Sequence, residues 1–122
     1  MNVLIADDSE LMRNRLMSAI SALEGIQVVG EAVDCCQAVE AVEKLHPDVV
    51  ILDIRMPGGS GIEVLNTVKS QKSSPIVIML TNYAYPQYQS KCLESGADYF
   101  FDKSSDFGKV PALLKKLAAS FD

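Results

Sequence analysis

Hydrophobic positions along the chain follow two alternating patterns. Five short apolar runs occupy Asn2–Ala6, Gln27–Val33, Asp48–Ile54, Pro75–Leu80 and Asp98–Phe101. Between them lie segments of ten or more residues with helical spacing. Strand alternating with helix predicts βαβ units and a parallel sheet. The runs VLIA, VVILDI and IVIML are continuously apolar, as central strands covered on both faces must be. The second run carries Gln27, Gly30 and Glu31, and the fifth is short and flanked by Asp98 and Asp102. Those two read as edges. The expected fold is a doubly wound α/β sandwich: five parallel strands in the order 2-1-3-4-5, with right-handed crossovers.

The intervening segments carry helix signals. The first helix is expected from about Ser9 to Leu23, with Met12, Leu16, Ile20 and Leu23 on one face and Gly25 after it. The second follows Asp34 as N-cap, has Gln37 three residues on, and stops before Pro47. Ser60-Gly61-Ile62-Glu63 has capping-box spacing and opens a third helix that buries Ile62, Leu65 and Val68. The fourth runs from about Pro86 to Gly96 with a thin apolar face of Tyr88, Cys92 and Leu93, so it is expected to be loosely held. The fifth starts near Lys109, after a looser lead-in at Ser105–Gly108. It carries Val110, Leu113, Leu114, Leu117 and Phe121.

Composition fits one domain spanning 1–122. Of 122 residues, 48% are hydrophobic and 22% charged, which excludes wholesale disorder. Area scaling predicts a folded surface of roughly 6,500 Å², enough burial to dispense with disulfides or a structural metal. No apolar run approaches membrane-spanning length. The opening MNVLIADDSE turns acidic after four apolar residues and lacks a secretory pattern. A net charge of −5 argues against nucleic-acid contact. Cys35, Cys36 and Cys92 form no disulfide or metal framework and read as reduced thiols in a cytoplasmic protein.

Polar residues interrupt the pattern at one place, the carboxyl ends of the runs. Asp7 and Asp8 follow the first, Asp53 closes the third, Thr81 and Asn82 follow the fourth, and Asp102 and Lys103 the fifth. Ligands bind at this rim in an open α/β sheet. Each residue alone has an ordinary explanation: Asp8 or Ser9 can cap the first helix, and Lys103 can be a solvated charge. Convergence from four strands on one rim argues otherwise. Carboxylates about 6 Å apart repel by roughly 3 kcal/mol per pair at an effective dielectric near 20. Lys103 cancels one of three charges, and a divalent cation would neutralise the rest. An all-oxygen donor set favours Mg²⁺ over zinc or copper, and Mg²⁺ beside a carboxylate suits phosphoryl chemistry.

Asp7-Asp8, the stretch Asp53-Ile54-Arg55-Met56-Pro57-Gly58-Gly59-Ser60-Gly61, Thr81 and Lys103 together resemble the receiver domain of two-component response regulators. The resemblance spans essentially the whole chain. It implies a flavodoxin-like (βα)5 fold and a phosphorylation-dependent switch rather than a turnover enzyme. Asp53 would accept a phosphoryl group from the phosphohistidine of a sensor histidine kinase or phosphotransfer protein. Asp8 and Asp53 would bind Mg²⁺ directly, Asp7 through water, and Arg55 through its backbone carbonyl. Lys103 would pair with the acidic cluster and then with phosphoryl oxygens. Thr81 would donate its hydroxyl to the phosphoryl group. Phe100 falls at the switch aromatic position and, with Thr81, would alter a partner surface on helix four, strand five and helix five. The chain would act as a stand-alone receiver.

Three positions depart from the family pattern. Asn82 replaces a small residue, Ser104 replaces the proline that commonly follows the lysine in a cis peptide, and Phe100 replaces a frequent tyrosine. Without proline a cis bond costs about 3 kcal/mol, so a trans bond is expected at Lys103-Ser104. Phe100 has no hydroxyl to satisfy and can bury its ring. Elsewhere, His46 before Pro47 reads as a helix C-terminal residue. Tyr83, Tyr85 and Tyr88 read as half-buried aromatics or a partner patch, and Cys35-Cys36 as helix packing.

Two other functions fit part of the pattern. An aspartyl phosphohydrolase shares the sheet and the acidic site, but places its nucleophile on the first strand in Asp-x-Asp and adds a cap. Steady turnover of a phosphate ester would mark it. A degenerate receiver would bind partners without phosphorylation and fail to label with a small phosphodonor.

Overall fold

The computed structural model describes residues 1–121. Five parallel strands form the main sheet: β1 (Asn2–Ala6), β2 (Gln27–Ala32), β3 (Val49–Leu52), β4 (Ile76–Thr81) and β5 (Tyr99–Asp102). Their order is β2-β1-β3-β4-β5, as the apolar runs imply. Five helices connect them: α1 (Glu10–Ser21), α2 (Cys35–Leu45), α3 (Gly61–Lys69), α4 (Pro86–Glu94) and α5 (Lys109–Ala119). The exposed surface is 6445 Å², in line with the area expected for the chain's size.

Strand alternation divides the core in two. Leu4, Ala6, Val50, Leu52, Val77 and Met79 face one side and pack with Val42, Leu65, Val68 and Cys92 of α2, α3 and α4. Val3, Ile5, Val49, Ile51, Ile78 and Leu80 face the other and pack with Met12, Leu16, Ile20, Val110 and Leu114 of α1 and α5. Each fully buried leucine or isoleucine stabilises this arrangement by about 1.5–3 kcal/mol relative to exposure.

The helix ends mostly follow the sequence signals. The Ser9 hydroxyl accepts from Met12 N–H and caps α1, which leaves Asp8 free of that task. Asp34 accepts from Gln37 N–H, while the Gln37 side chain accepts from Val33 N–H, one residue before the cap. Ser60 accepts from Ile62 N–H rather than from Glu63, so α3 has a capping serine with a shorter reach. His46 closes α2 in the left-handed region, φ 46°, and donates its N–H to the Val42 carbonyl. On α4 only Cys92 is buried. Leu93 is 49% exposed and contributes nothing to the core. The lead-in at 105–108 is a hydrogen-bonded turn instead of a loose segment. The Lys103-Ser104 bond is trans.

A short antiparallel hairpin, Arg55–Met56 with Gly59–Ser60, joins β3 to α3 and is absent from the sequence reading. Pro57-Gly58 forms its two-residue turn, with Gly58 at φ 86°. Proline followed by a glycine at positive φ suits a type II turn.

Candidate functional site

Three residues each take one more rung of the ladder beyond their strand. Asp7 N–H donates to the Ala32 carbonyl, Asp53 N–H to Ala6, and Lys103 N–H to Thr81. The parallel sheet thus sets their backbones side by side at its carboxyl edge, although Lys103 and Asp53 lie fifty positions apart. The Lys103 ammonium sits 2.7 Å from Asp7 Oδ2 and 2.7 Å from Asp53 Oδ2. Asp7, Asp53 and Lys103 are 3%, 5% and 7% exposed. Asp8 is exposed at the mouth of the same cluster. Carboxylate oxygens of Asp7, Asp8 and Asp53 lie within 4.8 Å of one another.

The remaining oxygens are directed locally. Asp53 Oδ1 accepts from Ile54 N–H at 2.7 Å, and Asp7 Oδ1 from Ser9 N–H at 2.9 Å. Burial penalises the Lys103 charge, but its bonds to Asp53 and Asp7 outweigh that and hold its pKa above the ordinary lysine value. Burial pushes the Asp7 carboxyl up, against the opposing pull of Lys103. A buried pair of this kind is held by matched partners, and losing one partner strands the other charge.

The hairpin after β3 stands over one side of the site. Gly61 N–H donates to the Ile54 carbonyl at 2.6 Å. A Cβ on Gly61 would fall on the Asp53 carbonyl oxygen. The Met-Pro-Gly turn and this glycine are therefore parts of one device that folds the chain tightly back at Asp53.

Thr81 is fully buried at the end of β4, and its hydroxyl oxygen accepts from Tyr83 N–H. In the β4–β5 register Thr81 lies opposite Asp102, and Met79 opposite Phe100. Phe100 is half-buried and packs against the cluster beneath α4, the face that Thr81 shares by alternation with Val77 and Met79. The structure thus gathers Asp7, Asp8, Asp53, Thr81 and Lys103 at one rim, with Phe100 one strand away. Asn82 is exposed.

Two contacts at the rim have no motif to announce them. Arg13 donates to the Asp7 carbonyl and pairs with Glu31 at 3.2 Å, tying α1 to β2 below the acidic pair. The Arg55 guanidinium lies 4.4 Å over the Tyr83 ring and bridges the loops after β3 and β4. Tyr83 and Tyr88 are half-buried there, while Tyr85 is exposed and tilted against Tyr88. A cavity of about 490 Å³ lies between these loops, lined by Asp8, Arg55, Met56, Tyr83 and Tyr88 among others. All three cysteines are free; Cys35 and Cys92 are buried, and burial pushes the Cys92 thiol up to about 11.

The sequence profile of the response regulator receiver domain matches residues 3–115. The chain belongs to the receiver family. Among curated relatives, it is 38% identical over 115 residues to the transcriptional regulatory protein BtsR of Salmonella typhi, covering 94% of this chain and 47% of that protein. It is 37% identical over 105 residues to a protein-glutamate methylesterase/protein-glutamine glutaminase of Treponema denticola, covering 84% of this chain and 28% of that one. The receiver therefore spans about half or less of these relatives. Among solved structures, the response regulator domain of Thermotoga maritima CheB superposes with a TM-score of 0.85 at 32% identity, covering 98% of this chain and 93% of that one. A chain in the CheX-CheY-BeF3-Mg²⁺ complex of Borrelia burgdorferi gives 0.85 at 31% identity, covering 100% and 90%.

Receiver domains are the phosphoacceptor switches of two-component systems. They interact with histidine kinases or phosphotransfer proteins and with effectors, and bind Mg²⁺ at an acidic pocket. This chain is accordingly a signalling domain. No helix among the described residues is long and apolar enough to cross a membrane.

Proposed function

We propose that Asp53 is the phosphoryl acceptor of this receiver, and that residues 1–122 form one such domain in the cytoplasm. The observation that carries the reading is the buried Lys103 ammonium, bridging Asp53 and Asp7 beside the exposed Asp8. A histidine kinase or phosphotransfer protein presents its phosphohistidine at this rim. A carboxylate oxygen of Asp53 forms the new O–P bond as the donor's P–N bond breaks, and the imidazole departs with that electron pair. Lys103 then has phosphoryl oxygens as partners as well as Asp7. The Thr81 oxygen accepts from Tyr83, which leaves its proton to donate to the phosphoryl group.

The acidic residues suit Mg²⁺. The clustered donors are all carboxylate oxygens, with no histidine or cysteine among them. Asp8 and Asp53 would hold the ion directly, with the Arg55 carbonyl, and Asp7 through water. When bound, the ion supplies positive charge opposite the phosphoryl oxygens. Acetyl phosphate should add one phosphoryl group in Mg²⁺ by intact mass. Labelling should fall at least about tenfold in EDTA or in Asp8→Asn. Undiminished labelling in both would remove the metal from the proposal.

Thr81 and Phe100 are the proposed switch, and α4, β5 and α5 the effector surface. Drawing the Thr81 hydroxyl toward a phosphoryl oxygen opens space that the Phe100 ring can fill by a rotamer change. The thin buried face of α4 leaves it the helix freest to respond. With beryllofluoride and Mg²⁺, amide shifts should spread from residue 53 across 82–108 in wild type. They should stay near the site in Thr81→Ala and Phe100→Ala. Equal spread in both variants would break the coupling model.

A further inference from the structure

Side-chain hydrogen bonds close the turn from 102 to 106, which carries Lys103 out of β5. Asp102 Oδ1 accepts from both the N–H and the hydroxyl of Ser104, at 2.8 and 2.6 Å. Asp106 Oδ2 accepts from Asp102 N–H at 3.0 Å, and Asp106 N–H donates to the Asp102 carbonyl at 2.8 Å. Lys103 is thus flanked by two residues whose positions these carboxylates hold. Its own N–H is tied to Thr81 on the neighbouring strand. Alternation along β5 turns the Asp102 N–H away from β4 toward the open sheet edge, where Asp106 meets it. Beyond the turn, Phe107 lies under the Arg15 guanidinium at 4.3 Å and packs on the core, which ties the segment to α1.

We infer that Asp102 and Asp106 are positioning residues for Lys103: by closing the 102–106 turn through backbone N–H groups, they aim its ammonium between Asp7 and Asp53. Misplacing a reacting group by about 1 Å can cost as much as a hundredfold in rate, so the support of the turn is a determinant of phosphoryl uptake. Each carboxyl is held below the ordinary carboxylate range by the hydrogen bonds it accepts, so both are anionic acceptors at neutral pH. Serine at 104 is part of the device, because proline there has no N–H for Asp102.

This inference rests on Lys103 acting in the proposed transfer to Asp53, and two readouts separate the two readings. The first needs no phosphoryl chemistry: the ¹H–¹⁵N signal of the Lys103 ammonium, slowed in exchange when buried and paired. It should be lost or exchange-broadened in Asp102→Ala and Asp106→Ala, and restored in Asp102→Asn, whose side-chain oxygen can accept the same bonds. The second is the labelling rate with saturating acetyl phosphate and Mg²⁺. Asp102→Ala should slow it about tenfold and Asp102→Asn less than about twofold. In a Lys103→Met background, Asp102→Ala should cause no further loss, because the two act through one group. An unchanged ammonium signal in both alanine variants overturns the inference. So does a further tenfold loss in the Lys103→Met background. If wild type shows the ammonium signal but takes up no phosphoryl group, the transfer reading fails while the positioning reading is still decided by the first measurement.

Discussion

Asparagine in place of Asp53 should abolish phosphoryl uptake while leaving the fold intact. The amide is nearly isosteric, and its oxygen can still accept from Ile54 N–H as Asp53 Oδ1 does. Lys103 keeps Asp7 as its ionic partner, so the buried ammonium is not stranded. The change removes one of three mutually repelling carboxylates and one partner of Lys103, two opposing effects, and stability should move by no more than about 1 kcal/mol. The lost property is the anionic oxygen that attacks phosphorus. Neither neighbour should replace it: in the variant Asp7 is the one ionic partner left to the buried Lys103. Asp8 is exposed and is not paired with the lysine in this structure. Intact mass after acetyl phosphate and Mg²⁺ checks the result. Retention of a full phosphoryl increment in Asp53→Asn would place the acceptor on another residue.

A methyl group at Gly61 should damage both fold and site. This position is not in the left-handed region, so backbone freedom is not the reason glycine stands there. Space is the reason. The Gly61 N–H donates to Ile54 and draws the start of α3 against the exit of β3. A Cβ would meet the Asp53 carbonyl oxygen, the Asp53 carbonyl carbon at 2.8 Å and Ile54 Cα at 2.9 Å. All three are backbone atoms, so no rotamer change relieves the overlap. Gly61→Ala should lower stability by about 3 kcal/mol or more, read as a lower urea midpoint at unchanged slope. Labelling of Asp53 should slow as well, because the displaced backbone carries the acceptor. Gly108→Ala is the control: nothing lies within 4 Å of its Cβ position and its φ is −65°. That change should be neutral or stabilising by about 0.5 kcal/mol. A loss below about 1 kcal/mol for Gly61→Ala would mean the hairpin yields easily.

Particular residues show why some features were legible in the sequence and others were not. The runs at 2–6 and 75–80 announced central strands, because a strand covered on both faces has no polar position to spare. Asp53 stood out because a carboxylate closed such a run. The edges of the sheet were legible from Glu31 and Asp98 for the same reason. The hairpin at 55–60 escaped the reading: two-residue strands are too short to show alternation, and Pro57-Gly58 signals a turn without saying what it joins. Leu93 was misplaced on the α4 core face, since a helix that buries only Cys92 has too little periodicity to orient. Asp102 stands at the rim beside Lys103 with no partner legible from the pattern, and Asp106 carries no signal in it at all. Their role rests on which N–H groups lie unpaired at a strand end.

The sequence by itself determined the strand–helix alternation, the order of the sheet and the set of polar residues at its carboxyl rim. Those follow from side-chain type and periodicity, which are local properties of the chain. Only the tertiary structure decided that one ammonium bridges Asp7 and Asp53, that Gly61 must lack a side chain, and that Asp102 and Asp106 close the 102–106 turn. Those depend on distances between segments far apart in sequence, and such distances exist only after the parallel ladders have set the strand ends side by side.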